Sequence, residues 1–302
     1  MSLFFHLLES MHMDLKITEN CSRQSNLHST CTFCVEACTK GALSLNLQSI
    51  EINLEGCNSC GECVIACPLS AIEGIVDSRD FFKGSLLYNE SYTPTVKELL
   101  IYLKRGVKSI QTQNLPLNDP WKRLLTETNK VLEVVGEPVI EVVQKAQEEE
   151  KFSRRSFFTS LQREGKQLAK SMAPASWKFE VDQWQLAIYY PEYQFYTIQM
   201  DRKKCTLCQA CITFCSQEVF QIVNQTLQIN HQKCVGCTAC SDICSEDAIH
   251  IRTEVKKMNV EYVGLYSKSC LNCGQSFVTF HPETLKCHVC KDRDPSWLSP
   301  YQ

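Results

Sequence analysis

The chain has 302 residues, enough for two or three domains that each bury a core of their own. Hydrophobic residues make up 44% and charged residues 22%, a globular composition, and a net charge of -3 gives no electrostatic ground for general nucleic-acid binding. No apolar run approaches the roughly 20 residues that a bilayer-spanning helix needs, so no membrane span is expected.

The unusual number is twenty cysteines, most of them in C-x2-C steps. Two cysteines three positions apart can hold one ion or cluster together, whereas a disulfide framework ties distant segments of a small secreted fold. The pattern therefore predicts metal rather than disulfides. At the N-terminus, Met1 to Asp14 lacks a basic stretch followed by an apolar core, so no signal peptide is read and a cytoplasmic location is expected.

In chain order, the first cysteine group is Cys31, Cys34 and Cys38, with Cys21 upstream. A complete C-x2-C-x2-C-x3-C run follows at Cys57, Cys60, Cys63 and Cys67. Residues 81–200 contain no cysteine. Within them Thr93-Pro94 reads as a helix start, with Val96, Leu99, Leu100 and Leu103 on one face and Gly106 at the stop. Val107 to Ile110 reads as a strand, Trp121 to Val135 as a helix ending at Gly136, and Val139 to Val143 as a further strand. That order predicts a small α/β unit with parallel strands. No Gly-rich phosphate loop follows a strand, so nucleotide and flavin binding are unsupported. The charged run Gln147 to Lys151 reads as a solvated loop, and Phe157, Phe158 and Leu161 fit a helix face. Ser153-Arg154-Arg155-Ser156-Phe157-Phe158 has the look of a twin-arginine export motif, but it lies mid-chain without a following apolar stretch and reads as a basic helix start.

Two more complete runs follow: Cys205, Cys208, Cys211 and Cys215, then Cys234, Cys237, Cys240 and Cys244. Cys38 to Cys67 is 29 positions and so is Cys215 to Cys244, which marks residues near 20–80 and 200–256 as two copies of one domain. After the last cysteine of each group comes an apolar pair, Ala42-Leu43, Ala71-Ile72, Val219-Phe220 and Ala248-Ile249, read as core. The chain closes with two knuckles, Cys270 and Cys273, then Cys287 and Cys290, the spacing of a zinc ribbon. Zinc suits four thiolates with no open position, and mononuclear iron is the rival metal. His288 lies inside the second knuckle and reads as a bystander.

The paired runs resemble the two-cluster bacterial ferredoxins, over about 60 residues in each copy. The resemblance implies an α+β fold in which two dicluster domains, 1–80 and 201–256, flank a small α/β middle domain, 81–200, before a zinc-ribbon tail, 257–302. The middle part is weakly similar to the α/β segment of some multi-ferredoxin electron-transfer proteins, including relatives of hydrogenase accessory subunits. In the ferredoxin family the fourth cysteine of a run binds the neighbouring cluster. Carried over, Cys205, Cys208, Cys211 and Cys244 hold one 4Fe-4S cluster, and Cys234, Cys237, Cys240 and Cys215 the next. Cys57, Cys60, Cys63 and Cys38 hold a third. The fourth has Cys31, Cys34 and Cys67, and its last ligand is open between Cys21, His28 and an unligated corner. Four clusters and one zinc need twenty thiolates, and the Cys21 assignment leaves none spare. The usual proline after the fourth cysteine is kept at Cys67-Pro68 and replaced by Thr39, Ser216 and Ser245.

These features imply a carrier that relays single electrons between redox-enzyme partners, with no catalytic residues of its own. An accessory, assembly or regulatory factor for a redox enzyme is the alternative, and a catalytic iron–sulfur enzyme would be favoured by a free corner near Cys31. Charge is uneven: residues 1–80 carry ten acids against four bases, and residues 201–302 ten against eleven. That bias predicts a partner with a basic patch for the N-terminal domain.

Overall fold

The computed structural model describes residues 15–47, 49–73, 79–113, 116–144 and 184–291. The expectations for Met1 to Asp14, for Gln147 to Lys151 and for the segment with Arg154, Phe157 and Leu161 lie outside them. The fold is mixed helix and sheet. Two units divide it, one of residues up to Cys21 with Thr32–Tyr190, the other of Ser22–Cys31 with residues from Pro191 on.

In the first unit, β1 (Lys16–Ile17) pairs antiparallel with β4 (Ile72–Glu73), which brings the two ends of the cysteine-rich stretch together. Between them β2 (Leu43–Asn46) and β3 (Ser49–Ile52) form a hairpin. Short helices Phe33–Glu36 and Glu62–Ala66 carry Cys34 and Cys63 to that frame and lead into Cys38 and Cys67. Ala42, Leu43, Ala71 and Ile72 are all buried, so each apolar pair anchors the chain just after a cysteine group.

A four-stranded sheet follows, ordered β5 (Phe81–Phe82), β6 (Ser85–Leu87), β7 (Ser109–Thr112), β8 (Glu141–Gln144). Lys83 and Gly84 both have positive φ, the turn that suits a two-residue hairpin between β5 and β6. β6, β7 and β8 run parallel, and each parallel step is bridged by a helix, Val96–Lys104 and then Asp119–Val135. The first helix starts later than Thr93-Pro94 suggests, because the Thr95 side chain accepts from the Glu98 N–H at 3.2 Å and caps it. The second is capped by Asn118 and ends at Gly136 with φ 71°. It buries Trp121, Leu124, Thr128, Leu132 and Val135, one stripe at helical spacing. Trp121 Nε1 donates to the Asn89 and Tyr92 carbonyls, both at 3.0 Å, so its burial leaves no polar atom unsatisfied. Strands β7 and β8 are shifted towards the C-terminus relative to Val107–Ile110 and Val139–Val143.

The second unit repeats the first frame on a larger scale. β9 (Tyr193–Met200) pairs antiparallel with β12 (Ile249–Lys257), and β10 (Phe220–Val223) forms a hairpin with β11 (Thr226–Asn230). β13 (Val260–Gly264) adds a third strand beside β11. The pairing therefore extends on both sides of residues 201–256. Val219, Phe220, Leu227, Ile249 and Val263 share its core with Ile198. Each fully buried side chain of this size contributes roughly 1.5–3 kcal/mol. The tail is a hairpin of β14 (Tyr266–Ser269) and β15 (Ser276–Thr279) followed by helix His288–Lys291. No helix among the described residues is long and apolar enough to cross a membrane.

Candidate metal centres

Three cysteine runs share one backbone. The residue two after the first cysteine has positive φ in each, Ser59, Leu207 and Gly236, and so does the residue after the second, Gly61, Gln209 and Thr238. Reversing the chain twice in five residues turns three thiols towards one point. The loop before Cys34 differs: Thr32 has φ -130° and Thr30 is not left-handed. A first ligand at position 28 would need the same double reversal, which that loop does not make.

The fourth position of every group also repeats. Three residues after it, Gly41, Ser70, Glu218 and Asp247 all have positive φ. The next N–H then points back at sulfur: Ala42 to Cys38 at 3.2 Å, Ala71 to Cys67 at 3.2 Å, Val219 to Cys215 at 3.5 Å and Ala248 to Cys244 at 3.3 Å. Such donors favour a charged thiolate and pin its direction.

The thiols converge on cavities. One is lined by Cys205, Cys208, Cys211 and Cys244 among apolar neighbours that include Leu207 and Ile212. A second is lined by Cys215, Cys234, Cys237 and Cys240, and a third by Cys38, Cys57, Cys60 and Cys63. Each quartet takes its fourth member from the other group of its pair. Cys21 lies within electrostatic reach of Cys67, and Cys34 within reach of Cys63. Cys31, on the segment Ser22–Cys31, lies near Cys237, and Thr30 donates to both Asp242 oxygens at 2.8 and 2.9 Å. His28 is exposed, and its main-chain N–H donates to Asn26 Oδ1.

Burial pushes the thiols of Cys63, Cys211 and Cys234 up to about 12 and that of Cys237 to about 11, with neighbouring cysteines adding to the effect. Without a cation these groups hold their protons at neutral pH, so binding iron there releases protons. Four thiols, amide donors aimed at sulfur and apolar walls suit an iron–sulfur cluster.

At the C-terminus, the sulfurs of Cys270, Cys273, Cys287 and Cys290 all lie within 4.8 Å of one another, and Cys273 and Cys287 are 3.9 Å apart. Metal–sulfur bonds of about 2.3 Å in a tetrahedron place sulfurs roughly 3.8 Å apart. Cys270, Cys287 and Cys290 are buried and Cys273 is exposed. The Cys287 N–H, followed by that of Cys273, holds the Cys270 thiol down to about 6. Gly274, with φ 70°, makes the knuckle turn, and its N–H donates to the Cys270 carbonyl at 2.9 Å.

Residues 197–245 match the family of 4Fe-4S dicluster domains, and residues 50–73 the 4Fe-4S binding domain family. The chain carries two ferredoxin-type 4Fe-4S domains. They support an iron–sulfur electron-transfer role, and a separate four-cysteine cluster closes the chain. No curated protein matches the chain.

Residues outside the cysteine motifs also reach the first ferredoxin-type domain. Arg79 donates from Nη1 to the Cys60 carbonyl at 3.2 Å and from Nε to Glu98 Oε1 at 3.0 Å. Glu98 is fully buried and also accepts from the hydroxyls of Tyr92 and Tyr102. The Arg79 guanidinium stacks 3.5 Å over the Tyr92 ring. Lys97, half-buried one residue earlier, donates from Nζ to the Ile65 carbonyl at 2.9 Å. Burial lowers Lys97 to about 8, opposed by the charge of Cys67, which leaves the ammonium predominant at pH 7. In the second domain Tyr196 lies against the Cys234–Cys237 loop, and burial raises its hydroxyl above the usual range. Sequence spacing marks the cysteines but carries no signal for the contacts of Arg79, Lys97 and Tyr196 with the cysteine-motif segments, which join residues 19 to 41 positions apart.

Proposed function

We propose that the protein is an electron carrier, or the electron-transfer subunit of a larger oxidoreductase, that relays single electrons through four 4Fe-4S clusters between redox-enzyme partners in the cytoplasm. The cluster ligands are Cys205, Cys208, Cys211 and Cys244; Cys234, Cys237, Cys240 and Cys215; Cys57, Cys60, Cys63 and Cys38; and Cys21, Cys31, Cys34 and Cys67. Cys270, Cys273, Cys287 and Cys290 hold one structural zinc ion. The observation that carries this reading is the convergence of three all-cysteine quartets, each closed by a cysteine from the partner group.

A bound 4Fe-4S cluster supplies reversible one-electron reduction. The chain's own part is to fix and insulate. Thiols at all four corners leave no position for a substrate, and Leu207 and Ile212 set apolar surface against one quartet. The four amides aimed at cysteine sulfur stabilise negative charge there, which eases the arrival of an electron.

Anaerobic purification with metal analysis and an EPR-monitored redox titration tests the proposal. The expected result is about sixteen iron and one zinc per chain, with every cluster reversibly reducible without added substrate. Saturated protein with only about eight iron overturns the four-cluster count. Clusters that resist reduction and oxidation favour the accessory or assembly role instead.

A further inference from the structure

Two cations from beyond the cysteine motifs reach the first ferredoxin-type domain, and they differ in one respect. Arg79 meets the Cys60 carbonyl, but Glu98 sits against it at 3.0 Å, so the pair brings almost no net charge. Lys97 meets the Ile65 carbonyl, two residues before Cys67, and among the described residues no carboxylate pairs with it. Its electrostatic neighbour is Cys67 itself. Ile65 is 1% exposed, so the ammonium donates to an acceptor shielded from solvent, where a charge acts over distance with little screening.

We propose that Lys97 is a potential-setting residue that holds the cluster at Cys67 at a higher reduction potential than the cluster at Cys60, giving electrons a preferred direction from the second to the first. An electron arriving near an uncompensated positive charge is stabilised, while one arriving near the Arg79–Glu98 pair gains little. This rests on the electron-transfer reading above. The residue touches no ligand sulfur by hydrogen bond, so its action is through charge. A purely structural lysine would act through the hydrogen bond to Ile65, and the two roles separate by substitution.

The experiment is an EPR-monitored redox titration of the full-length, anaerobically reconstituted protein as wild type, Lys97→Gln and Lys97→Arg, with iron content measured on the same samples. Glutamine keeps a hydrogen-bond donor and loses the charge; arginine keeps both. For Lys97→Gln one cluster should become at least tenfold harder to reduce at a fixed ambient potential, a shift of about 59 mV for a one-electron couple. The same signal should keep its wild-type midpoint in Lys97→Arg. Cys60→Ser, which alters the neighbouring cluster, should leave the shifted signal recognisable and so identify it. Unchanged midpoints in Lys97→Gln at full iron content overturn the proposal. Should Lys97→Gln lose iron, Lys97→Met replaces it, and loss of the same iron in both marks a structural lysine and also overturns it. A wild type with no reducible cluster removes the electron-transfer reading itself, before any variant is compared.

Discussion

Gly236 packs so closely against the ring of Tyr196 that a Cβ at residue 236 would sit 2.4 Å from Cε1. Gly236 also has φ 74°, so an alanine there meets both a clash and left-handed strain of roughly 1–2 kcal/mol. Gly236→Ala should displace the Cys234–Cys237 loop and cost the protein one cluster. Adding Tyr196→Val relieves the clash and leaves the strain, so the double variant should recover iron. Iron analysis of the two proteins checks both outcomes, and a single variant with full iron refutes the expectation.

Glu98 is the buried partner of Arg79 and of two tyrosine hydroxyls. Glu98→Ala leaves the guanidinium half-buried without its counter-charge, a change that costs about 3–5 kcal/mol in comparable pairs. Replacing both residues by apolar ones should restore most of that loss. A double-mutant cycle in urea, followed by tryptophan fluorescence, measures the coupling.

Cys21 and His28 make opposite predictions for the cluster at Cys67. Cys21 lies near Cys67, and the loop around His28 lacks the double chain reversal of the three complete runs. Cys21→Ala should therefore give a labile or three-iron centre at one site, while His28→Ala leaves the EPR spectrum unchanged. The reverse result moves the ligand to His28.

Much of the metal chemistry is readable from spacing, because a C-x2-C step constrains two thiols to one neighbourhood whatever lies between them. The backbone that does this is not readable: Leu207, Gln209 and Thr238 are left-handed without being glycine, against their local preference. Tertiary closure overrides that preference. The helix after Thr93-Pro94 is legible from its apolar spacing, yet the full burial of Glu98 in its first turn is not, since no local pattern marks it. Its partner Arg79 is 19 positions away, beyond the reach of any local pattern. Strand β9 has no cysteine to announce it, so the second domain looks shorter in sequence than its pairing makes it.

The C-terminal cysteines form their own centre. Cys287→Ser should abolish zinc binding and leave the iron content as it was, because the four sulfurs that share this site lie on the β14–β15 hairpin and the helix after it. Parallel zinc and iron determinations decide it. Iron lost together with zinc would mean that the hairpin supports the clusters.

Glu36 is exposed on the helix between Cys34 and Cys38, where it accepts from the Thr32 hydroxyl, whereas Glu62 is half-buried and accepts from the Thr39 hydroxyl at 3.5 Å. Glu36→Lys is therefore the cleaner probe of steering by the acidic domain. It should slow association with a basic redox partner and flatten its dependence on salt. Stopped-flow rates that ignore both the substitution and ionic strength rule steering out.

Under the proposed ligand assignment, the amides of Ala42, Ala71, Val219 and Ala248 give each cluster an address for magnetic resonance. An N–H aimed at a cysteine sulfur receives unpaired spin from the metal, so its proton and nitrogen carry a hyperfine coupling that distant amides lack. Labelling alanine with nitrogen-15 marks three of these positions, and labelling valine marks the one beside Cys215. The four proposed centres, whose absorption would overlap, can thereby be followed one by one as electrons are added.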